Sequence, residues 1–295
     1  MAFYSKLYNS LLRTTTILIF CLLSISTSAR ATSFGISGGV ESSHLKEIGS
    51  TGTRLVSETG NRFVATALFD NYKRYESEIP LLYHLEASVY LGQVNYDGQS
   101  QSLDPAQNNL PVRSQTDYQG GRAEALLGYR FNPPVVPRGI ELLGGLGVDS
   151  WNRRIQDGTA SNGTQISGIK ETYRAYYGKA AVGFADLFSP TLHSHLLFGI
   201  KMPLNINEEV NLSNLGYDND VSVSPGNTYS GFIYLVLEPQ SKNGSPGNMI
   251  FSAYYDGFRF DPSKSKTATR NGSSIQIWQP ETHIDVFGVH IGYRF

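Results

Sequence analysis

Phe287-Gly288-Val289-His290-Ile291-Gly292-Tyr293-Arg294-Phe295 is the stretch whose reading decides the fold. Every second residue, from Phe287 to Phe295, is apolar or aromatic, and the residues between them are glycine, histidine and arginine. Period-two alternation is the mark of a strand with two unlike faces. A strand buried in a soluble core would not set five large apolar groups against glycines and cationic groups. Lipid accounts for the first face, and a polar interior for the second.

The same arithmetic recurs upstream. In 120–131, Ala123, Ala125, Leu127, Tyr129 and Phe131 oppose Arg122, Glu124, Gly128 and Arg130. In 195–206, Leu196, Phe198, Ile200, Met202, Leu204 and Ile206 oppose His195, Gly199, Lys201 and Asn205, and in 84–92, Leu85, Ala87, Val89 and Leu91 oppose His84, Glu86, Ser88 and Gly92. A one-residue slip would turn these charges to lipid at ~2–4 kcal/mol per Arg or Lys near the midplane. The pattern predicts an all-β fold: a single antiparallel transmembrane barrel of about ten strands, with eight to twelve as the range. The strands are expected near 34–45, 62–70, 81–97, 118–132, 139–155, 170–187, 193–208, 227–238, 248–261 and 282–295. Short links at 71–80, 133–138, 188–192 and 239–247 alternate with long polar ones at 46–61, 98–117, 156–169, 209–226 and 262–281. Outer-membrane barrels keep short turns on the periplasmic side and long loops outside.

The N-terminus fits export. Lys6 and Arg13 precede an apolar run at 17–23, and Ala29-Arg30-Ala31 has the small-x-small form of a cleavage site, so 1–31 reads as a secretory signal and 32–295 as the barrel. The lone cysteine, Cys21, lies in that leader. The mature chain then offers no disulfide and no cysteine ligand. It would carry 21 basic and 25 acidic residues without like-charge runs, which argues against nucleic acid as a partner.

The closing Phe287, Val289, Ile291, Tyr293 and Phe295 resemble the C-terminal signal that the outer-membrane assembly machinery recognises. More widely, 92–99, 128–131, Trp151 to Ile155 and Gln279-Pro280-Glu281 resemble a broad, poorly characterised group of proteobacterial outer-membrane, porin-like barrels. The likeness implies the outer membrane of a Gram-negative cell, reached through the periplasm, with the lipid bilayer, lipopolysaccharide and the assembly machinery as partners. It implies no cofactor.

Glu41, Glu86, Arg122, Glu124, Arg130, Glu141, Arg153, Lys179, Lys201 and Arg294 are expected to face inward. They read as a salt-bridge network filling the lumen, or alternatively as the lining of a solute path; ten strands lie near the filled end of barrel sizes. Two constellations invite chemistry. Asp218-Asn219-Asp220 with His283 and Asp285 lies on the long-loop side, where omptin-like proteases carry acids and a histidine; the acidic triplet alone also reads as a Ca²⁺ loop or a solvated turn. His193-Ser194-His195 suggests a lipid-A deacylase but sits by a short turn, so turn-flanking polarity is expected. Trp151, Tyr96, Tyr118, Tyr173, Tyr176, Trp278 and Phe260 at one end, and Phe69, Phe131, Phe188 and Phe295 at the other, read as two aromatic belts. No catalytic or metal-binding residues are assigned. The expectation is a non-enzymatic structural, surface-interaction or narrow-pore role, with a diffusion channel or a rim hydrolase as alternatives.

Overall fold

The computed structural model describes residues 33–72, 81–100, 108–131, 139–188, 192–239 and 248–295. The leader expected at 1–31 lies outside them, as do most residues of the short links. Among the described residues ten long strands form: β1 Ser33–Ile48, β2 Arg54–Asp70, β3 Leu81–Gln99, β4 Pro111–Phe131, β5 Ile140–Ile155, β6 Lys170–Ala185, β7 Leu192–Asn211, β8 Ser230–Pro239, β9 Asn248–Asp261 and β10 Glu281–Arg294. Each pairs antiparallel with its sequence neighbours. β10 also pairs with β1, from Gly35↔Arg294 to Ile48↔Glu281, so the ribbon closes on itself. Closure satisfies the backbone of every strand without an open edge, which is what a bilayer requires of a β structure.

The facing follows the hydropathy. Phe287, Val289 and Ile291 are 58%, 62% and 52% exposed, whereas His290 and Arg294 on the same strand are 7% and 5% exposed. On β10, β4, β5, β6 and β7 the outward positions stay apolar, or glycine, over 287–295, 123–131, 140–148, 176–184 and 196–204. Such nine-residue runs match the ~9–11 residues that a tilted strand needs to cross a bilayer. Beyond this belt, toward the long-loop end, the outward positions turn polar: Ser42 and His44 on β1, Asn61 and Thr59 on β2, Gln93 and Asn95 on β3, Ser150 and Asn152 on β5. The barrel wall therefore continues past the lipid as a water-facing collar.

The collar corrects three expectations. First, β2 begins at Arg54 and β4 at Pro111, so the long link expected at 46–61 is instead a tight turn at 49–53. There the Gly49 N–H bonds the Thr53 carbonyl (2.8 Å) and Gly52 takes φ +77°. The outward side chains of these segments are polar, so hydropathy alternation fades although the strands continue. Second, Tyr177 pairs with Pro203 but Tyr176 with Asn205, leaving Leu204 as an extra residue. This bulge keeps Leu204 and Asn205 both outward and turns Ile206, expected to face lipid, into the barrel. Pro203, which has no N–H to give a ladder, stands at the irregularity. Third, Trp151, Tyr118, Tyr173 and Phe260 are buried inside, and Tyr96 shares their inward phase, whereas Tyr176 and Trp278 are exposed. The upper belt is thus sparser than expected; Phe131, Phe188 and Phe295 do lie exposed at the opposite end.

Candidate functional site

The inward residues arrange in tiers. At the short-link end, Asp70 bonds Arg294 (2.9 Å) and accepts from Ser33 (2.9 Å), and Glu238 lies 3.5 Å from the same guanidinium. Beside them, Glu141 joins Arg130 (2.9 Å) and His195 (2.6 Å). The chain leaving β2 turns Tyr72 into this mouth: its ring lies 5.3 Å from His84 and 4.1 Å from His195, and its carbonyl accepts from Arg130 (2.9 Å).

The middle tier is denser. Glu41 accepts from Arg62 (2.8 Å), Arg122 and Tyr254. Glu124 binds Lys179 (2.8 Å) and Tyr177 (2.7 Å), and Lys201 binds Asp256 (2.8 Å). Glu86 lies 3.5 Å from His84. Cations also lie over ring faces, Arg62 over Tyr90 and Lys201 over Tyr177, both at 4.4 Å. An aromatic shelf, Trp151 stacked on Tyr173 at 4.8 Å with Phe258 and Phe260, closes the space above. Two cavities along this path, of about 30 and 50 Å³, have room for a few waters each. Neither is a channel.

The collar holds a different cluster. Arg153 on β5 binds Glu47 (2.8 Å), Glu58 (3.0 Å) and Glu171 (2.7 Å), from β1, β2 and β6. Thr116 (2.7 Å) and Tyr118 also donate to Glu58. Glu208 on β7 is buried nearby, and Gln279, with its amide nitrogen turned to it, donates at 2.8 Å while its oxygen accepts from Thr282. Three carboxylates thus share one guanidinium, with a fourth, Glu208, buried beside them. Burial, together with the charges of Glu171 and Glu58 and against the pull of Arg153, pushes Glu47 up to about 7; burial and the charges of Glu171 and Glu47 raise Glu208 too.

All the charges expected inside the lumen face inward, and each finds partners there. The sequence reading missed Asp70, Tyr72, Glu238 and Asp256 as their partners, and the collar acids Glu47, Glu58, Glu171 and Glu208. Most of these hold the inward phase of their strands, so extending the alternation would have found them; Glu208 lies beyond the bulge and keeps no phase readable from β7. The two chemical constellations are not assembled. Asp220 accepts from the Ser213 (2.8 Å) and Leu212 (2.9 Å) N–H groups, and the Ser213 bond above all holds its carboxyl below the usual range. Asn219 bonds Thr269 (3.2 Å) on the hairpin of Lys266–Arg270 and Ser273–Ile277. This pins the fourth long loop to the fifth over a small core of Val210, Leu212, Val221, Val223 and Ala268. His283 and Asp285 lie on the outer wall, engaged with Glu281 (2.8 Å) and with Arg259 and Tyr255. In the second, His193-Ser194-His195, Ser194 Oγ accepts from the Leu187 N–H (2.9 Å), and His195 is part of the mouth network rather than turn-flanking polarity.

A closed ten-stranded barrel with an apolar girdle, a charged filled bore and a loop-bearing collar has the fold of the outer-membrane β-barrels. A solved structure agrees. The chain is similar to the outer membrane protease OmpT of Escherichia coli, with a TM-score of 0.61 and 8% identity over 91% of this chain and 97% of that one. It also matches the β domain of the Bordetella autotransporter BrkA (TM-score 0.41, 10% identity, 89% and 98% covered) and Ail of Yersinia pestis (TM-score 0.33, 13%, 90% and 99%). No protein-family model matches the chain, and no curated protein does. At such identities the likeness concerns the fold.

Proposed function

We propose that this chain is a sealed, non-enzymatic barrel of a Gram-negative outer membrane, inserted by the assembly machinery and working as a surface scaffold through its extracellular loops. The observation that carries this reading is the bore: among the described residues ion pairs and stacked rings fill it at every tier, and the two cavities along it have room for a few waters each. A diffusion channel needs a continuous wet path, and ten strands enclose little more than their own side chains. The pinned fourth and fifth loops form a firm platform rather than a loose gate.

A rim hydrolase needs an imidazole and carboxylates converging on a cleft. On the collar the imidazoles His44 and His283 share the outer wall, and the buried acids surround Arg153 instead. Planar-bilayer recording on refolded protein tests the proposal. No resolvable current step is expected; a steady ohmic step would overturn the sealed bore and favour the channel.

A further inference from the structure

The fifth long loop carries a sheet of its own. Its two arms, Lys266–Arg270 and Ser273–Ile277, pair only with each other among the described residues. Asn271 (φ +51°) and Gly272 (φ +78°) form the turn between them, and an Asn-Gly turn with both residues left-handed closes a tight hairpin. The register is Arg270↔Ser273, Ala268↔Ile275 and Lys266↔Ile277. In an antiparallel pair closed in this way, those positions exchange hydrogen bonds across the hairpin. The main chain at Thr267, Thr269, Ser274 and Gln276 points away from it.

The two outer edges differ. On the first arm the fourth loop covers the edge. The Asp218 N–H bonds the Thr269 carbonyl (2.8 Å), and the Asn219 side chain accepts from the Thr269 N–H (3.2 Å) and donates to the Thr267 carbonyl (3.4 Å). On the second arm the main-chain groups of Ser274 and Gln276 have no partner among the described residues, and both residues are exposed. Ile275 and Ile277, between and beside them, pack on the small core under the loops, which holds the open edge extended.

Sheets guard an open edge with charged side chains or proline. Here Lys266 and Arg270 stand on the arm whose edge is already covered, whereas Ser273 to Trp278 carries no charge and Pro280 falls beyond the arm. An edge that is ordered, uncharged and unpaired takes an extended chain as a further strand.

Resting on the surface-scaffold reading and deepening it, we infer that the Ser273–Ile277 edge docks an extended, acidic segment of a partner polypeptide. The partner's main chain bonds that of Ser274 and Gln276. Its acids answer Lys264, Lys266 and Arg270, the three charges of a stretch, 262–280, that holds no acid. An added strand stands two strand spacings, about 10 Å, from the first arm, close to the screening length at physiological salt. The cations therefore bias the choice of partner, and the main chain supplies the docking. A second copy of this chain would set the same three cations against themselves.

The test titrates the refolded full barrel in detergent with a capped peptide of Thr-Glu repeats, followed by the fluorescence of the exposed Trp278 beside the arm. The peptide should bind and should slow hydrogen exchange at the Ser274 and Gln276 amides. The same peptide N-methylated on two adjacent central residues, which blocks both of its edges, should bind about tenfold more weakly. A Thr-Lys version should bind about fivefold more weakly than the Thr-Glu one at low salt. Gln276→Pro removes an outward N–H that the hairpin does not use, and should cost about tenfold, while Gln276→Ala should bind like wild type. No binding of the Thr-Glu peptide by wild type at about 1 mM would overturn the inference. Equal binding of the methylated peptide would reduce the site to charge attraction and overturn it too, even where Gln276→Pro fails to refold. Self-association that disappears in Gln276→Pro would give the edge to a second copy instead. Missing peptide binding in a preparation that is silent in planar bilayers sinks this inference alone, whereas a current step sinks the sealed-barrel reading.

Discussion

Inside the lipid girdle the buried acids are spread over several cations, Glu41 on Arg62 and Arg122, Glu124 on Lys179 and Asp256 on Lys201; inside the collar Glu47, Glu58 and Glu171 share Arg153 alone, with Glu208 buried beside them on Gln279. The lower tiers sit where the wall is against hydrocarbon, and an unpaired ion there has no route to water. The collar stands clear of lipid, and protons from solvent can balance its surplus acid. The difference teaches that the girdle and the collar keep their buried acids by separate means: fixed counter-ions in one, proton uptake in the other.

The sharpest way to break that comparison is to remove a girdle anion. Glu41→Ala strands Arg62 and Arg122 and should cost about 3–5 kcal/mol in urea unfolding from vesicles, because an uncompensated buried charge remains. A loss below about 1 kcal/mol would mean that water reaches the bore. Next comes the outer boundary. Ile291→Arg, at the girdle's middle, should cost about 2–4 kcal/mol, while Ser42→Arg on the collar should lie within about 0.5 kcal/mol of wild type. Similar values for the two would erase the girdle.

Proton uptake gives a third contrast. Glu47 binds its proton more tightly folded, near pH 7, than at its ordinary value of 4.5. Below 4.5 both states hold the proton and the group has no effect. Between 4.5 and 7 the unfolded chain releases it first, so stability falls as pH rises, and above 7 the loss is complete. Unfolding at pH 5 and pH 8 should differ by on the order of 1–3 kcal/mol, and Glu47→Gln should flatten the difference. A slope unchanged in that variant would remove Glu47 from the cluster's titration. The smallest effect is expected at Arg54, whose exposed 3.7 Å pair with Asp97 should contribute less than about 1 kcal/mol when tested by Arg54→Ala.

The girdle was legible in the sequence because lipid enforces a strict contrast between faces: β10 and β4 could be assigned to their faces from Phe287 and Phe131 alone. The collar was not. Asn61, Thr59 and Ser57 face water, so the strand continues without hydropathic contrast and reads as a loop. The bulge at Leu204 was hidden for a related reason, since Leu204 and Ile206 are both apolar and only the pairing with Tyr176 and Tyr177 reveals that they face opposite ways. The inward charges could be named, but not their partners, because Arg122 meets Glu41 across 81 residues of chain.

Cysteine scanning on intact cells tests the two-zone wall most directly, since the chain's single cysteine, Cys21, can be replaced by serine. Asn61→Cys, Gln93→Cys and Ser150→Cys should react with a membrane-impermeant maleimide added outside. Phe63→Cys, Leu91→Cys and Leu146→Cys, one or two pleats lower, should stay unlabelled until the protein is denatured. Equal labelling of both sets would contradict the lipid girdle, and labelling of neither would contradict a collar that faces out of the cell.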